Sequence, residues 1–262
     1  MDRLEQPLPC ISVHSLTGCA GEELVILENL QKALPLVRVV SFPFAQSANE
    51  MRPVDIAFVE GSVSQPHDLE KLKAIRATAR WLVAVGNCAV WGCVQGGVCR
   101  RFTPEQMARD VYGQDNQIAA LPSAPLDKYV RVDVKLSGCP IDAGQFLSVL
   151  ASLLKDHLPY ITHKPVCLEC KLKENGCVLV EKNLPCLGPI TAAGCGALCP
   201  TFGAACYGCW GPCEAPQMEA MEIVLKEKGY AIDEVISRLT AFGIPQEIYS
   251  RDKPLELKVS RQ

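Results

Sequence analysis

The sequence predicts an α/β fold: a doubly wound parallel sheet over residues 1–160, followed by a small loop-rich domain over residues 161–262. Three observations carry that reading. Apolar runs of strand length alternate with amphipathic stretches between residues 8 and 156, the order that builds a parallel sheet with right-handed crossovers. One run, WLVAVGNC at 81–88, is apolar nearly throughout, as a strand covered on both faces should be. After residue 161 the periodicity stops, and glycine, proline and cysteine punctuate the chain.

Taken in order, LPCISVHSL (8–16) reads as the first strand. In EELVILENLQKAL, Leu24, Leu27, Leu30 and Leu34 fall on one face of a helix that Pro35 ends. VRVVSF (37–42) and DIAFVEG (55–61) are the second and third strands, and residues 67–80 form a helix with Leu69, Leu72 and Ile75 on its buried side. WLVAVGNC is the fourth strand. A polar insertion from Arg100 to Asp127 precedes a fifth strand at 128–139, and AGQFLSVLASLLKD (143–156) is the third helix. Beyond Cys213, APQMEAMEIVLKEKGY and IDEVISRLTAFG predict two helices that close the second domain.

Composition excludes several classes. Lys and Arg total 26 against 29 Asp and Glu, so no electrostatic attraction to nucleic acid or anionic membrane is expected. No run of eighteen apolar residues offers a membrane anchor. No charged-then-apolar leader opens the chain, and with fifteen cysteines this points to a reducing cytoplasm where thiols serve metals.

Eight of those cysteines crowd the 43 residues from Cys167 to Cys209, at 167, 170, 177, 186, 195, 199, 206 and 209. Eight thiols make two sets of four. Cys167 and Cys170 form one CxxC, Cys206 and Cys209 another, and a CxxC sets two thiolates close enough to share a metal centre. Iron–sulfur clusters held by four cysteines each rank first. Structural zinc, which favours paired CxxC motifs, ranks second, and disulfides rank last.

In a doubly wound sheet ligands bind beyond the carboxyl ends of the strands. Cys19 follows the first strand, Glu60 ends the third, Cys88 follows the fourth and Cys139 the fifth. Four separated segments thus bring potential ligands to one rim, which predicts a third metal centre there. The bland alternative is that these cysteines are buried small hydrophobes. A phosphate site in the first turn is disfavoured, because TGCAGEE has neither a Walker lysine nor GxGxxG and carries two glutamates.

Together LTGC at 16–19, DIAFVEGSVS at 55–64, GNCAVWGCVQGG at 86–97, SGCP at 137–140, CLECKLKENGC, PCLGPITAAGCGALCPTFG and CYGC resemble the small subunit of NiFe hydrogenases. The likeness is nearest to the delta subunit of cytoplasmic NAD(P)-linked hydrogenases, the sulfhydrogenases. The 20 kDa subunit of complex I shares only the N-terminal part. The resemblance implies a flavodoxin-like domain with the proximal cluster, then a domain with the medial and distal clusters, giving three 4Fe-4S clusters. Cys167, Cys170, Cys177 and Cys186 are assigned to the distal cluster, and Cys195, Cys199, Cys206 and Cys209 to the medial one. The family continues its first turn as TGCxGC, whereas here Glu22 stands at the second cysteine's place. The proximal cluster is therefore expected on Cys19, Cys88, Cys139 and one carboxylate, with Glu22 ahead of Glu60. His163 and the other three histidines are expected at the surface. Cys10, Cys93, Cys99 and Cys213 are expected as buried thiols near clusters.

The implied role is electron transfer within an oxidoreductase whose NiFe site lies in another chain. Expected partners are the NiFe large subunit, a flavin/NAD(P)-binding subunit and ferredoxin-like iron–sulfur subunits. Alternatives are a subunit of a hydrogenase linked to heterodisulfide reductase, or part of a non-catalytic hydrogen sensor.

Overall fold

A computed structural model describes residues 7–99, 102–114, 117–231, 237–238 and 240–242. The chain divides into two compact units, Met1–Ile161 and Thr162–Gln262.

In the first unit β1 (Cys10–Ser15), α1 (Gly21–Ala33), β2 (Arg38–Ser41), β3 (Val54–Glu60), α2 (Pro66–Thr78) and β4 (Ala79–Val85) follow one another. Then come α3 (Gly86–Trp91), α4 (Cys93–Val98), α5 (Pro104–Tyr112), β5 (Val134–Leu136) and α6 (Ala143–Leu154). All strand pairs are parallel, in the order β2-β1-β3-β4-β5. Side chains alternate between the two faces with period two. Val13, Phe58, Val85 and Leu136 pack with Ile26 and Leu30 of α1 and Phe146 and Leu150 of α6. Ala57, Val59, Leu82 and Ala84 face the other way, onto Leu72 and Ile75 of α2. The Phe58 and Phe146 rings meet edge to face, 5.2 Å between centroids.

Several expectations change. The helix at α1 is present, but Leu24 is 54 %, Leu27 38 % and Leu34 49 % exposed. Its inner face is Ile26, Leu30 and Ala33 together with Glu22, Glu23 and Asn29. Counting leucines misses this phase because polar residues occupy the inner face; Asn29 satisfies itself by donating to the Val25 carbonyl at 3.0 Å. The fifth strand keeps only Val134–Leu136, and Tyr129, Val130 and Val132 pack as irregular chain. The expected strand end at 86–88 is the first turn of α3. The polar insertion contains α5, opened by a reciprocal cap in which Gln106 N donates to Thr103 Oγ1 at 3.2 Å and Thr103 N to Gln106 Oε1 at 2.8 Å. His14, expected at the surface, is buried in β1 at 4 % exposure, whereas His67, His157 and His163 are exposed.

The second unit holds α7 (Val166–Leu172), α8 (Val178–Glu181), α9 (Leu198–Thr201) and α10 (Met218–Glu227) around Val166, Leu187, Ile190 and Leu225. The predicted helix IDEVISRLTAFG falls largely outside the described residues. Among the described residues no helix is long and apolar enough to cross a membrane.

Candidate metal centres

The rim at the carboxyl end of the sheet is built by three loops tied to one another. Beyond β1, Thr17 and Ser62 exchange backbone bonds of 3.1 and 2.8 Å, which fixes the turn carrying Cys19 against the end of β3. Gly61 makes this approach possible: its φ is +84°, and a Cβ there would stand 2.8 Å from the Leu16 carbonyl carbon. Asp68 strengthens the join, accepting from Thr17 Oγ1, Ser64 N and Gln65 N, each at 3.1 Å.

Cys88 lies in the first turn of α3, where β4 ends. Asn87 binds it to the loop after β5, its amide donating to the Gly138 carbonyl at 2.8 Å while its Oδ1 accepts from Gly138 N at 3.0 Å. Cys139 comes next, joined to Pro140 by a cis peptide bond.

The thiols meet here. Cys93, 2 % exposed, is hydrogen-bonded to both Cys139 and Cys88. Cys88 Sγ also lies 3.7 Å from Gln95 Oε1. The Cys93 thiol is pushed up to about 12: its bond with Cys139 pulls downward, but the bond to Cys88, burial and the Cys88 charge outweigh it. Cys139 is also pushed up, first by its bond with Cys93, then by burial. Cys19 is exposed. A cavity of about 1120 Å³ opens on the rim, lined among others by Cys19, Cys88, Cys93, Cys99 and Cys139.

The two carboxylates lie deeper. Glu22 and Glu60 are each 2 % exposed and hydrogen-bonded to one another. Burial, then the Glu22 hydrogen bond and charge, raises Glu60 to about 8; burial raises Glu22 as well. Glu60 Oε2 has no partner among the described residues. The Glu22 carboxyl fills the space where a Cβ of Gly86 would stand.

In the second unit Cys167 is pushed up to about 11 by burial and then by the nearby Cys186, Cys170 and Cys177, while Cys170 is raised by burial and also by Cys186, Cys177 and Cys195. Gly188 faces two of them: a Cβ there would sit 3.5 Å from both Cys167 Sγ and Cys186 Sγ. Cys206 is raised by burial foremost, with Cys186 and Cys209 adding to it. Cys195 and Cys209 pack on the same small cluster of Ala192, Trp210 and Cys213. Backbone amides point at sulfur, Cys206 N reaching Cys186 Sγ at 3.2 Å, and the amides of Ala197 and Leu198 bond Cys195.

The donor chemistry suits clusters. Among the described residues no three His, Cys, Asp or Glu side chains converge on one point for a single ion; a cluster with four spread irons asks instead for thiolates around a volume. The rim offers sulfur from separate segments around a cavity, and the second unit offers nine more thiols with amide donors among them.

Comparison with known proteins agrees with this chemistry. Residues 17–153 match the family model of the NADH ubiquinone oxidoreductase 20 kDa subunit. Sulfhydrogenase 2 subunit delta of Pyrococcus furiosus is 39% identical over 221 residues, 83% of this chain and 92% of that protein. A subunit of the F420-non-reducing hydrogenase vhu of Methanococcus voltae is 31% identical over 238 residues, covering 77% of this chain and 81% of the relative. A chain of the NAD+-reducing [NiFe]-hydrogenase in its H2-reduced state superposes with a TM-score of 0.53 at 28% identity, over 58% of this chain and 94% of that one. The flavodoxin-like sheet is thus shared with hydrogenase small subunits, and this chain belongs to the family of the NADH ubiquinone oxidoreductase 20 kDa subunit, among the hydrogenase delta subunits of the sulfhydrogenase kind.

Proposed function

We propose that the chain carries electrons in a cytoplasmic NiFe hydrogenase, between a large subunit that handles hydrogen and a flavin/NAD(P)-binding partner, with ferredoxin-like iron–sulfur subunits in the same assembly. The observation that supports it most is the gathering of Cys19, Cys88 and Cys139, from three loops distant in sequence, on one cavity at the carboxyl rim of the sheet. When bound, 4Fe-4S clusters supply one-electron oxidation and reduction. Three would be held: a proximal one on Cys19, Cys88, Cys139 and a fourth ligand, one on Cys167, Cys170, Cys177 and Cys186, and one on Cys195, Cys199, Cys206 and Cys209.

The chain's own residues set the conditions. Amides that donate to sulfur, as Cys206 N does to Cys186, stabilise negative charge and raise the potential of what those thiolates hold. Burial of Cys186 and Cys206 keeps water away. At the mouth of the rim cavity Val94, Val111 and Tyr112 are 54 %, 71 % and 67 % exposed, an apolar border suited to an extensive subunit interface.

The test is to purify the chain with its co-purifying subunits and measure metal and flavin. Nickel and flavin in the complex, with about twelve irons on this chain, are expected. An iron count near about eight, with no spectroscopic signal from the rim, would remove the proximal cluster from the relay.

A further inference from the structure

The proposed proximal cluster lacks a fourth ligand, and the rim supplies one that is not a carboxylate. We propose that Cys93 completes a four-thiolate cradle with Cys19, Cys88 and Cys139, while Glu22 and Glu60 stand behind it as a hydrogen-bonded pair and not as ligands. This rests on the relay reading above and adds the identity of one ligand to it.

Four observations converge. All four thiols line the same cavity, and neither Glu22 nor Glu60 is among its lining residues. Cys93 touches two of the other three, hydrogen-bonded to Cys88 and Cys139. Its backbone is the third sign. With φ at +48° it occupies the left-handed region that a side chain enters only at a cost, and such strain persists where the surroundings hold a residue in place for a purpose. Gly92, at φ +81°, turns the chain so that α4 begins with this thiol facing α3.

The fourth sign is that Glu22 and Glu60 are bonded to each other, although Glu60 Oε2 has no partner among the described residues. Glu22 bonds Glu60, and Glu60 takes the Ala20 amide. Glu22 packs under Gly86, whose missing Cβ leaves it room. The turn where Glu22 stands at the second cysteine's place thus lies on the same rim as a segment that carries Cys93. Thiolate from α4 replaces thiolate from α1, and the site keeps soft ligands on iron instead of a harder carboxylate oxygen.

The experiment compares Cys93→Gly and Glu22→Gln in the intact complex, purified without oxygen, by iron analysis and electron paramagnetic resonance. Glycine suits the left-handed backbone, so the fold is retained. Cys93→Gly is expected to lose at least about one iron per chain and, on oxidation, to show a three-iron signal, and ferrous iron added under reducing conditions together with 2-mercaptoethanol should refill the site, the iron replacing what was lost and the added thiolate standing in for the missing ligand. Glu22→Gln should keep the wild-type iron and spectrum. Full iron and an unchanged spectrum in Cys93→Gly overturn the assignment, as does iron loss in Glu22→Gln with Cys93→Gly intact. Should Cys93→Gly fail to assemble, Cys93→Ser decides: a hydroxyl in place of the thiol must shift the rim signal, and an unshifted signal overturns the proposal. Wild-type complex with no iron at the rim ends the cluster reading itself, a failure distinct from full wild-type iron that ignores position 93.

Discussion

Asn87 and Gly138 are joined twice, amide to carbonyl at 2.8 Å and side-chain oxygen to amide at 3.0 Å. Each sits one residue before a cysteine of the rim, Cys88 and Cys139. The pair therefore sets the spacing between two thiols that belong to loops 51 residues apart.

Replacing Asn87 by Leu keeps the volume and removes the acceptor, leaving the buried Gly138 amide without its side-chain partner. The expected loss is about 1–3 kcal/mol of stability, read as a lower unfolding midpoint. Iron at the rim should fall as well, because Cys88 and Cys139 lose the side-chain half of their shared brace and keep only the backbone bond from residue 87 to the Gly138 carbonyl. A variant with wild-type midpoint and iron would show that the brace is dispensable.

Gly86→Ala tests the close approach of Glu22. Its φ of +79° and the carboxyl in the Cβ's place make alanine strained on both counts, costing about 1–3 kcal/mol for the backbone alone. Adding Glu22→Ala should recover the steric part and leave the backbone part. A double-mutant cycle in denaturant measures that coupling, and strictly additive effects would place Glu22 away from Gly86.

His14 gives a pH dependence. Burial, then the charge of Lys71, lowers it from 6.5 to about 4, so the fold holds the neutral ring while the unfolded chain binds the proton more readily. Between about pH 6.5 and 4 the unfolded state carries the extra proton, and stability falls as pH falls. The contribution is present above pH 6.5 and approaches a loss of about 3 kcal/mol below pH 4. His14→Gln should flatten that part of the profile. Parallel urea titrations of both proteins at pH 7 and pH 5 check it, and equal slopes would mean that His14 does not titrate across this window.

The strands and the gathering of Cys19, Cys88 and Cys139 on one rim were legible because their signals are local. Apolar runs ending in Gly61 or before Gly86 mark strand ends, and ligands placed after strand ends meet by topology. Less was legible where tertiary contact decides. α1 presents Glu22, Glu23 and Asn29 inward, against the leucine pattern, since the sheet fixes its rotation. His14 is buried because it alternates with Val13 on a central strand. The capping signal TPEQ of α5 was there to be read, with Pro at the first helical position. The place of Cys93 could not be, because its left-handed turn is one that cysteine does not advertise.

The last prediction divides the eight cysteines between Cys167 and Cys209. Cys186 and Cys195 are the ambiguous ones in sequence, standing on either side of the point where a sequential division falls. In space Cys186 shares Gly188 with Cys167, each sulfur 3.5 Å from the position of a Cβ there, whereas Cys195 shares an apolar group with Cys209. Cys186→Ala should therefore abolish the same paramagnetic signal as Cys167→Ala, with a loss of up to about four irons, and leave the signal that Cys195→Ala and Cys209→Ala remove. Gly188→Val, which inserts a branched side chain between the two sulfurs, should mimic Cys186→Ala in spectrum while sparing every ligand. If Cys186→Ala instead removes the Cys209 signal, the sequential division of these cysteines is wrong and Cys186 belongs with Cys206, whose amide it accepts at 3.2 Å.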